Sequence, residues 1–586
     1  MNRDQLLHIS RDKMMTIKTS CQIAWMASFL ILATCQPPPI VSTPSGPIKG
    51  VIVPTLGQDM VQFRNIPYAK PPVGNLRFEK TVPVEPWADT LDGTFFGPSC
   101  IQDTQYWFWE KAENNITTED CLQLNVHVPG AVSTTEKKPV MFWIHGGSFQ
   151  IGNSWFLDPS FLVLKDVIVV TINYRLGVFG FLSTGDSALP GNYGLWDMIE
   201  ALKWVNKNIA SFGGDPESVT IFGESAGGFA VSYLAVIPSN EGLFKRIIPQ
   251  SGTAIGELWK VRNPFRVAKK VGSHVGCITK NDSIINKDAL VACLKEKSSD
   301  DLFKAQSDPS TFNFGGISVA PVLWPNVDGE LLRRNPYESL EDLTSKESIF
   351  FRSLDVMTGT TDNEGSVFPY IAMPLQESKN FNLSDGVPTA VLCDDLAPLF
   401  ARDAFNDETV VPEMLCKGYG EDNMEEQARS ASNLYADTAF IAPTVQFLGF
   451  HSRGKAISNA YQYLFTKAIS FHFLVPSFPW SRGSAHGVDM LYLFGPGTMN
   501  QFDDSLSSPE GREITEILTR YWTNFAKTGN PNSEDLVEWK SYNPSGRYYM
   551  NLNLKPFMDQ DVYAKRMKLL IEDIPKKLKH SAKTEL

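Results

Sequence analysis

The chain lacks any surplus of basic charge. Its 53 lysines and arginines are outnumbered by 65 aspartates and glutamates, for a net charge of −12. No basic stripe interrupts that balance, which argues against a nucleic-acid partner. Cysteine and histidine are scarce, eight of each in 586 residues. No close Cys/His grouping has the spacing of a zinc site, so neither metal nor cofactor is expected. Internal repeats and long low-complexity tracts are also missing. Long apolar runs are confined to Cys21–Cys35, which falls short of the roughly 20 residues a spanning helix needs.

That run has the marks of a targeting segment. Lys13 and Lys18 precede it, and Ala33 and Cys35 supply small residues for cleavage. Met14 and Met15 offer a later start that would make residues 1–13 an extension. Residues 1–35 are therefore expected to be an N-terminal extension and signal peptide, with an uncleaved anchor as the alternative. Its removal leaves Cys100, Cys121, Cys277, Cys293, Cys393 and Cys416, an even count that suits disulfides in a secretory chain. Sequons at Asn115, Asn281 and Asn382 fit the same compartment. The last four residues, Lys583-Thr584-Glu585-Leu586, differ at one position from the Lys-Asp-Glu-Leu retrieval signal. Residues 576–586 are accordingly expected to be an exposed tail read by a retrieval receptor in the endoplasmic reticulum lumen, with secretion as the alternative.

Between these ends, 43% hydrophobic and 11% aromatic content predict a sizeable core over residues 36–575. Ile48–Val53 reads as an early strand. Lys138–Ile144 and Val167–Ile172 are apolar on both faces, the pattern of buried strands in a parallel sheet. Leu195, Met198, Ile199 and Leu202 recur at helical spacing and predict a helix to about Ile209, and Glu513–Phe525 repeats the pattern. Asp215-Pro216-Glu217 is expected to turn the chain into the next strand. Residues 370–425 mix prolines, acids and short apolar runs and are expected to form an irregular wall. Strand–helix alternation predicts an α/β fold, a mostly parallel sheet with helices on both faces and its site beyond the strands' carboxyl ends.

The strand Val219-Thr220-Ile221-Phe222 breaks at Gly223-Glu224-Ser225-Ala226-Gly227 and continues as a helix. This is G-x-S-x-G in strand–turn–helix context, which presents the serine hydroxyl as a nucleophile. A serine needs a base. His127, His274, His451 and His472 lie in apolar or helical surroundings, and His145 lies in the glycine loop His145-Gly146-Gly147-Ser148. His486 stands in an open run of small residues, Ser481–Gly487. The base needs a carboxylate, and Asp362 and Glu364, after a strand, are both candidates. Backbone N–H groups of Gly147, Ser148 and Ala226 are candidates for an oxyanion hole.

These features, with Phe63-Arg64-Asn65-Ile66-Pro67-Tyr68-Ala69-Lys70-Pro71-Pro72-Val73-Gly74, Glu119-Asp120-Cys121-Leu122, Asn173-Tyr174-Arg175-Leu176-Gly177 and Gln250-Ser251-Gly252, resemble the type-B carboxylesterase/cholinesterase family over about residues 40–560. The resemblance implies an α/β-hydrolase fold and a cofactor-free serine esterase of small-molecule esters. It assigns Ser225 as nucleophile, His486 as base and Glu364 as acid, with Glu224 and Ser251 as supporting residues. It pairs Cys100 with Cys121 and Cys277 with Cys293, each bond contributing about 3 kcal/mol. Cys393 and Cys416 are paired by leftover parity alone. Cholinesterases carry a choline-binding tryptophan where this chain has Lys111, although Trp107 and Trp109 are nearby. Glu224 stands where juvenile hormone esterases carry glutamine. A broad-specificity lumenal carboxylesterase is therefore expected. The alternatives are a cholinesterase and a non-catalytic adhesion or scaffold member of the same fold.

Overall fold

Successive residues of the run Val140-Met141-Phe142-Trp143-Ile144 pack into two different cores. Val140, Phe142 and Ile144 join one, and Met141 and Trp143 the other. A strand in the middle of a covered sheet must be apolar on both sides, which is why the run shows no alternation. The computed structural model describes residues 37–104, 116–279, 284–308, 323–454, 458–469, 478–496 and 504–584. From Pro39 onward the chain packs as one unit.

The main sheet has eleven strands. In chain order they begin with β1 (Val51–Thr55), β2 (Gln58–Pro67), β3 (Gln123–Pro129), β4 (Lys138–Ile144) and β5 (Ile168–Ile172). Next come β6 (Gly214–Glu224), β7 (Arg246–Gln250) and β8 (Asp355–Thr361). The last are β9 (Ala460–Phe465), β10 (Tyr548–Leu552) and β11 (Phe557–Gln560). Their spatial order is β11-β10-β9-β8-β7-β6-β4-β5-β3-β2-β1. Every pairing from β10 across to β5 is parallel. The flanking pairings are antiparallel. The expected α/β architecture is thus present, with parallel strands at its centre.

Helices cover both faces. α1 (Tyr193–Asn208) and α2 (Ala226–Leu234) pack on the side of Val140 and Ile144. α3 (Val488–Phe494) and α4 (Pro509–Thr528) pack on the side of Trp143. Buried Arg175 holds the loop after β5 to α1 through two 2.8 Å bonds to Asp197, from Nε and Nη2, a structural reason for an arginine in that motif.

Three expectations need correction. The strand expected over Ile48–Val53 is two, Gly46–Lys49 in a small separate sheet and β1 in the main one. They part at Gly50, where a Cβ would stand 2.8 Å from the Gln62 carbonyl oxygen. The expected turn at Asp215-Pro216-Glu217 is instead an irregular stretch inside β6, whose register against β4 shifts between Gly214 and Val219. The region 370–425 is helical rather than irregular: Pro369–Lys379, Ala397–Phe405 and Val411–Tyr419 are α-helices. Pro369 and Pro412 occupy first turns, where the missing N–H breaks no helical bond, whereas Pro374 lies inside its helix and Pro398 directly follows the π-helical turn Leu392–Leu396.

Disulfides join Cys100 to Cys121, Cys277 to Cys293, and Cys393 to Cys416. The third ties helix Val411–Tyr419 to the π-helical turn Leu392–Leu396. The lysine-rich run expected as an exposed tail forms helix Ile574–Thr584, with Lys576, Lys577 and Lys579 exposed. Asn382 is exposed. The leader, Trp107, Trp109, Lys111, Asn115, Asn281, His472, Glu585 and Leu586 lie outside the described residues. Among the described residues, no helix is long and apolar enough to cross a membrane, and no cluster could hold a metal ion.

Candidate active site

The nucleophile turn is a steric consequence of its glycines. α2 folds back on β6 so closely that a Cβ on Gly223 would stand 2.6 Å from the Gly227 carbonyl carbon, and it lies so close to the end of β4 that a Cβ on Gly227 would stand 2.0 Å from the Ile144 carbonyl oxygen. Ser225 sits between them at φ 55° and ψ −123°, a conformation that costs about 1–3 kcal/mol and marks functional sites. Its N–H donates to the Gln250 carbonyl at 2.9 Å, and its own carbonyl accepts from Phe229 N–H at 2.9 Å. The surrounding bonds hold the strained residue in place.

The base arrives from a loop without strand or helix of its own. The Ser225 hydroxyl donates to His486 Nε2 at 2.9 Å. His486 Nδ1–H donates to Glu364 Oε2 at 2.5 Å. Glu364 is fully buried three residues past the end of β8, and its Oε1 accepts from Ser251 Oγ at 2.5 Å and from Thr361 N–H at 2.7 Å. Of the two acids that residue type left open, Glu364 therefore meets His486. Asp362 is turned elsewhere: its Oδ1 accepts Ser484 N–H at 2.6 Å. Burial pushes the Asp362 carboxyl up to about 6.

Glu224, next to the nucleophile, also faces the base. Its Oε1 lies 3.3 Å from His486 Nε2. Burial pushes the Glu224 carboxyl up to about 8, opposed by the charge of His486. For His486 burial acts downward, but the charges of Glu224 and Glu364, the Glu364 hydrogen bond and the Asp489 charge outweigh it and raise it to about 9. The two groups are tightly coupled and compete for one proton. Glu224 is displaced upward by burial and His486 upward by its carboxylates. His486 also packs on Phe440, with ring centroids 4.9 Å apart.

The glycine loop after β4 closes the arrangement. A Cβ on Gly146 would stand 3.3 Å from Ser225 Cβ and 2.7 Å from the Glu224 carbonyl oxygen, so this loop lies directly against the nucleophile. Gly147 takes φ +101°, and Ser148 and Phe149 both take φ 56°. Among the described residues, the N–H groups of Gly147, Ser148 and Ala226 donate to no protein acceptor. Three free donors beside a held serine hydroxyl can stabilise a developing oxyanion. His145 is not part of the proton chain: its ring stacks on Tyr174 at 4.3 Å, and Nδ1–H donates to the Gly146 carbonyl at 2.8 Å.

Sequence reasoning missed the groups that hold the base loop. Ser366 Oγ accepts the His486 N–H at 3.0 Å. Asn363 N–H donates to the Ser484 carbonyl at 3.1 Å, and Asn363 Nδ2 donates to Ser481 Oγ at 3.1 Å. The signal available was position, since these residues flank Glu364 in Asp362-Asn363-Glu364-Gly365-Ser366. His127 and His451 are buried, as expected of structural histidines.

The carboxylesterase family model matches residues 37–570. The chain is 32% identical to carboxylesterase 1D of Rattus norvegicus over 549 residues, covering 89% of this chain and 92% of that protein. It is 33% identical to acetylcholinesterase of Bungarus fasciatus over 542 residues, covering 89% and 84%. It is 31% identical to neuroligin-2 of Mus musculus over 604 aligned positions, covering 94% and 69%. With a matching family model across most of its length and relatives above 30% identity, the chain belongs to the carboxylesterase family.

Proposed function

We propose that this protein is a serine carboxylesterase, hydrolysing carboxylic esters to acid and alcohol through an acyl-enzyme. The observation that carries the reading is the continuous chain Ser225 Oγ, His486, Glu364, at 2.9 and 2.5 Å. His486 Nε2 takes the hydroxyl proton as Oγ bonds to the ester carbonyl carbon. The carbonyl oxygen becomes an oxyanion held by the N–H groups of Gly147, Ser148 and Ala226. Collapse breaks the carbon–oxygen bond to the alcohol, which leaves with the proton from His486. Water, deprotonated by the same imidazole, adds to the acyl-enzyme and releases the acid and free Ser225. Glu364 balances the imidazolium charge in both halves, and no cofactor takes part.

The substrate reading is a broad range of simple esters. Lys111, where cholinesterases carry the choline-binding tryptophan, argues against a quaternary ammonium. The protein works in the endoplasmic reticulum lumen, as the leader, three disulfides, exposed Asn382 sequon and Lys583-Thr584-Glu585-Leu586 ending together suggest.

Fluorophosphonate labelling of wild type against Ser225→Ala tests the chemistry, with strong labelling expected for wild type alone. No labelling of either protein would favour a non-catalytic member of the fold, and equal labelling would place the nucleophile elsewhere. The acetylcholinesterase likeness supports one other substrate reading, cleavage of choline esters. Much faster turnover of butyrylcholine or acetylcholine than of 4-nitrophenyl butyrate would establish it.

A further inference from the structure

Asp362 is a carboxylate that the hydrolytic chain does not use. It stands two residues before Glu364, yet its Oδ1 bonds to the Ser484 N–H at 2.6 Å, two residues before His486. The next residue, Asn363, completes the grip. Its N–H donates to the Ser484 carbonyl at 3.1 Å, its Nδ2 donates to Ser481 Oγ at 3.1 Å, and it forms a β-bridge with Ala485. Both backbone polar groups of Ser484 are thus held by two consecutive residues of the acid loop.

Two further observations show that this contact is built rather than incidental. Gly483 adopts φ +106°, and a Cβ there would stand 2.7 Å from Asp362 Oδ1. Only a glycine lets the carboxylate come this close. Among the described residues, Asp362 has no ion-pair partner, although it is half-buried. A carboxylate in that setting is costly unless its hydrogen bonds repay the desolvation, and an N–H bond to a charged acceptor is about twice as strong as one to a neutral acceptor. The loop Ser481–Gly487 has only the single Asn363–Ala485 bridge as regular structure. Its path, and with it the place of the imidazole, depends on such contacts.

We infer that Asp362 is a positioning residue of the hydrolytic site, clamping the base loop at Ser484 together with Asn363 so that His486 stands between Ser225 and Glu364. The inference rests on the serine-esterase reading for its catalytic consequence, though not for the clamp itself.

Two substitutions separate acceptor from side chain: Asp362→Ala removes the acceptor, and Asp362→Asn keeps an acceptor oxygen. With 4-nitrophenyl butyrate as the probe, Asp362→Ala should lower kcat about tenfold, since small misplacements of catalytic groups cost that much or more. KM should stay within about twofold, because the residue touches no substrate, and Asp362→Asn should recover most of the lost kcat. Hydrogen–deuterium exchange should show the 481–487 peptide of Asp362→Ala exchanging faster than that of wild type. Wild-type kcat in Asp362→Ala, or a loss that Asp362→Asn does not recover, overturns the inference. Should Asp362→Ala fail to fold, Gly483→Ala, whose Cβ displaces the carboxylate, must show the same kcat loss, and wild-type kcat there counts against it. If wild type hydrolyses no ester, the esterase reading fails separately. The clamp is then judged by exchange alone, and equal exchange of that peptide in wild type and Asp362→Ala refutes it.

Discussion

Two loops of this protein each carry a histidine among glycines, and the two histidines are equally buried, His145 at 5% exposure and His486 at 6%. Their fates are opposite. Burial lowers His145 to about 4, only partly offset by its bond to the Gly146 carbonyl. For His486 burial acts in the same direction, but Glu224 and Glu364 reverse it to about 9. His145 stacks on Tyr174 and stays neutral, a stiffener of the oxyanion loop. His486 can accept a proton inside the protein because a carboxylate meets each side of its ring. Burial alone turns a histidine into an uncharged aromatic, and it takes paired negative charge to turn a buried one into a base.

The comparison breaks most visibly in turnover. Ser225→Ala or His486→Ala should lower kcat by about a millionfold, and Glu364→Gln by about ten-thousandfold. His145→Phe, which keeps a ring against Tyr174, should stay within about tenfold of wild type. Steady-state kinetics with 4-nitrophenyl butyrate checks all four, and a His145 variant as damaged as the His486 variant would erase the distinction. The oxyanion loop comes next. At Gly147 a Cβ would lie 2.2 Å from the Ile151 carbonyl oxygen, so Gly147→Ala should displace the donors and lower kcat about 100- to 1000-fold. An unchanged rate would remove Gly147 from the oxyanion hole.

Stability should sharpen the same contrast. His145 is depressed below its unfolded value near 6.5, so the unfolded chain binds more protons between about 6.5 and 4. Its contribution is present above that window and is lost as pH falls through it, by about 3 kcal/mol at most. Chemical denaturation from pH 7 to 4 should show a shallower loss for His145→Phe than for wild type. For His486, raised above its unfolded value, the sign is reversed: its contribution is full below about 6.5 and is lost as pH rises through about 9. The smallest effect concerns Glu224. Glu224→Gln removes a charge that raises His486, so the acid limb of kcat/KM should move to lower pH by about one unit. A limb that moves upward would contradict the assigned direction.

The legibility of this chain in its sequence follows the range of the forces involved. The Gly223–Gly227 turn was readable because part of its constraint is local: the Cβ missing at Gly223 lets a helix fold back on its own strand, while the one missing at Gly227 makes room for the end of β4. The buried strands were readable from continuous apolar runs, although β6 hid its irregular stretch behind Asp215-Pro216-Glu217. Region 370–425 was misread because proline is punctuation in a loop and an opening residue in a helix, and Pro369 and Pro412 serve the second use, while Pro374 and Pro398 are carried within helical stretches. The pair Asp362 and Glu364 could not be separated by residue type, since both are carboxylates just beyond one strand.

By itself the sequence determined the class of fold and the strand–turn–helix setting of Ser225. Those properties rest on periodicity and on glycine sterics, both carried by neighbouring residues. Residue type left Asp362 and Glu364 open and the family resemblance named Glu364, but only the tertiary structure showed that Glu364 faces His486, that Asp362 holds Ser484, and that carboxylates meet one buried histidine and not the other. These outcomes depend on residues more than a hundred positions apart, brought within about 3 Å by the parallel sheet. Electrostatic interactions of that kind vary with distance and burial, and neither quantity exists until the chain has folded.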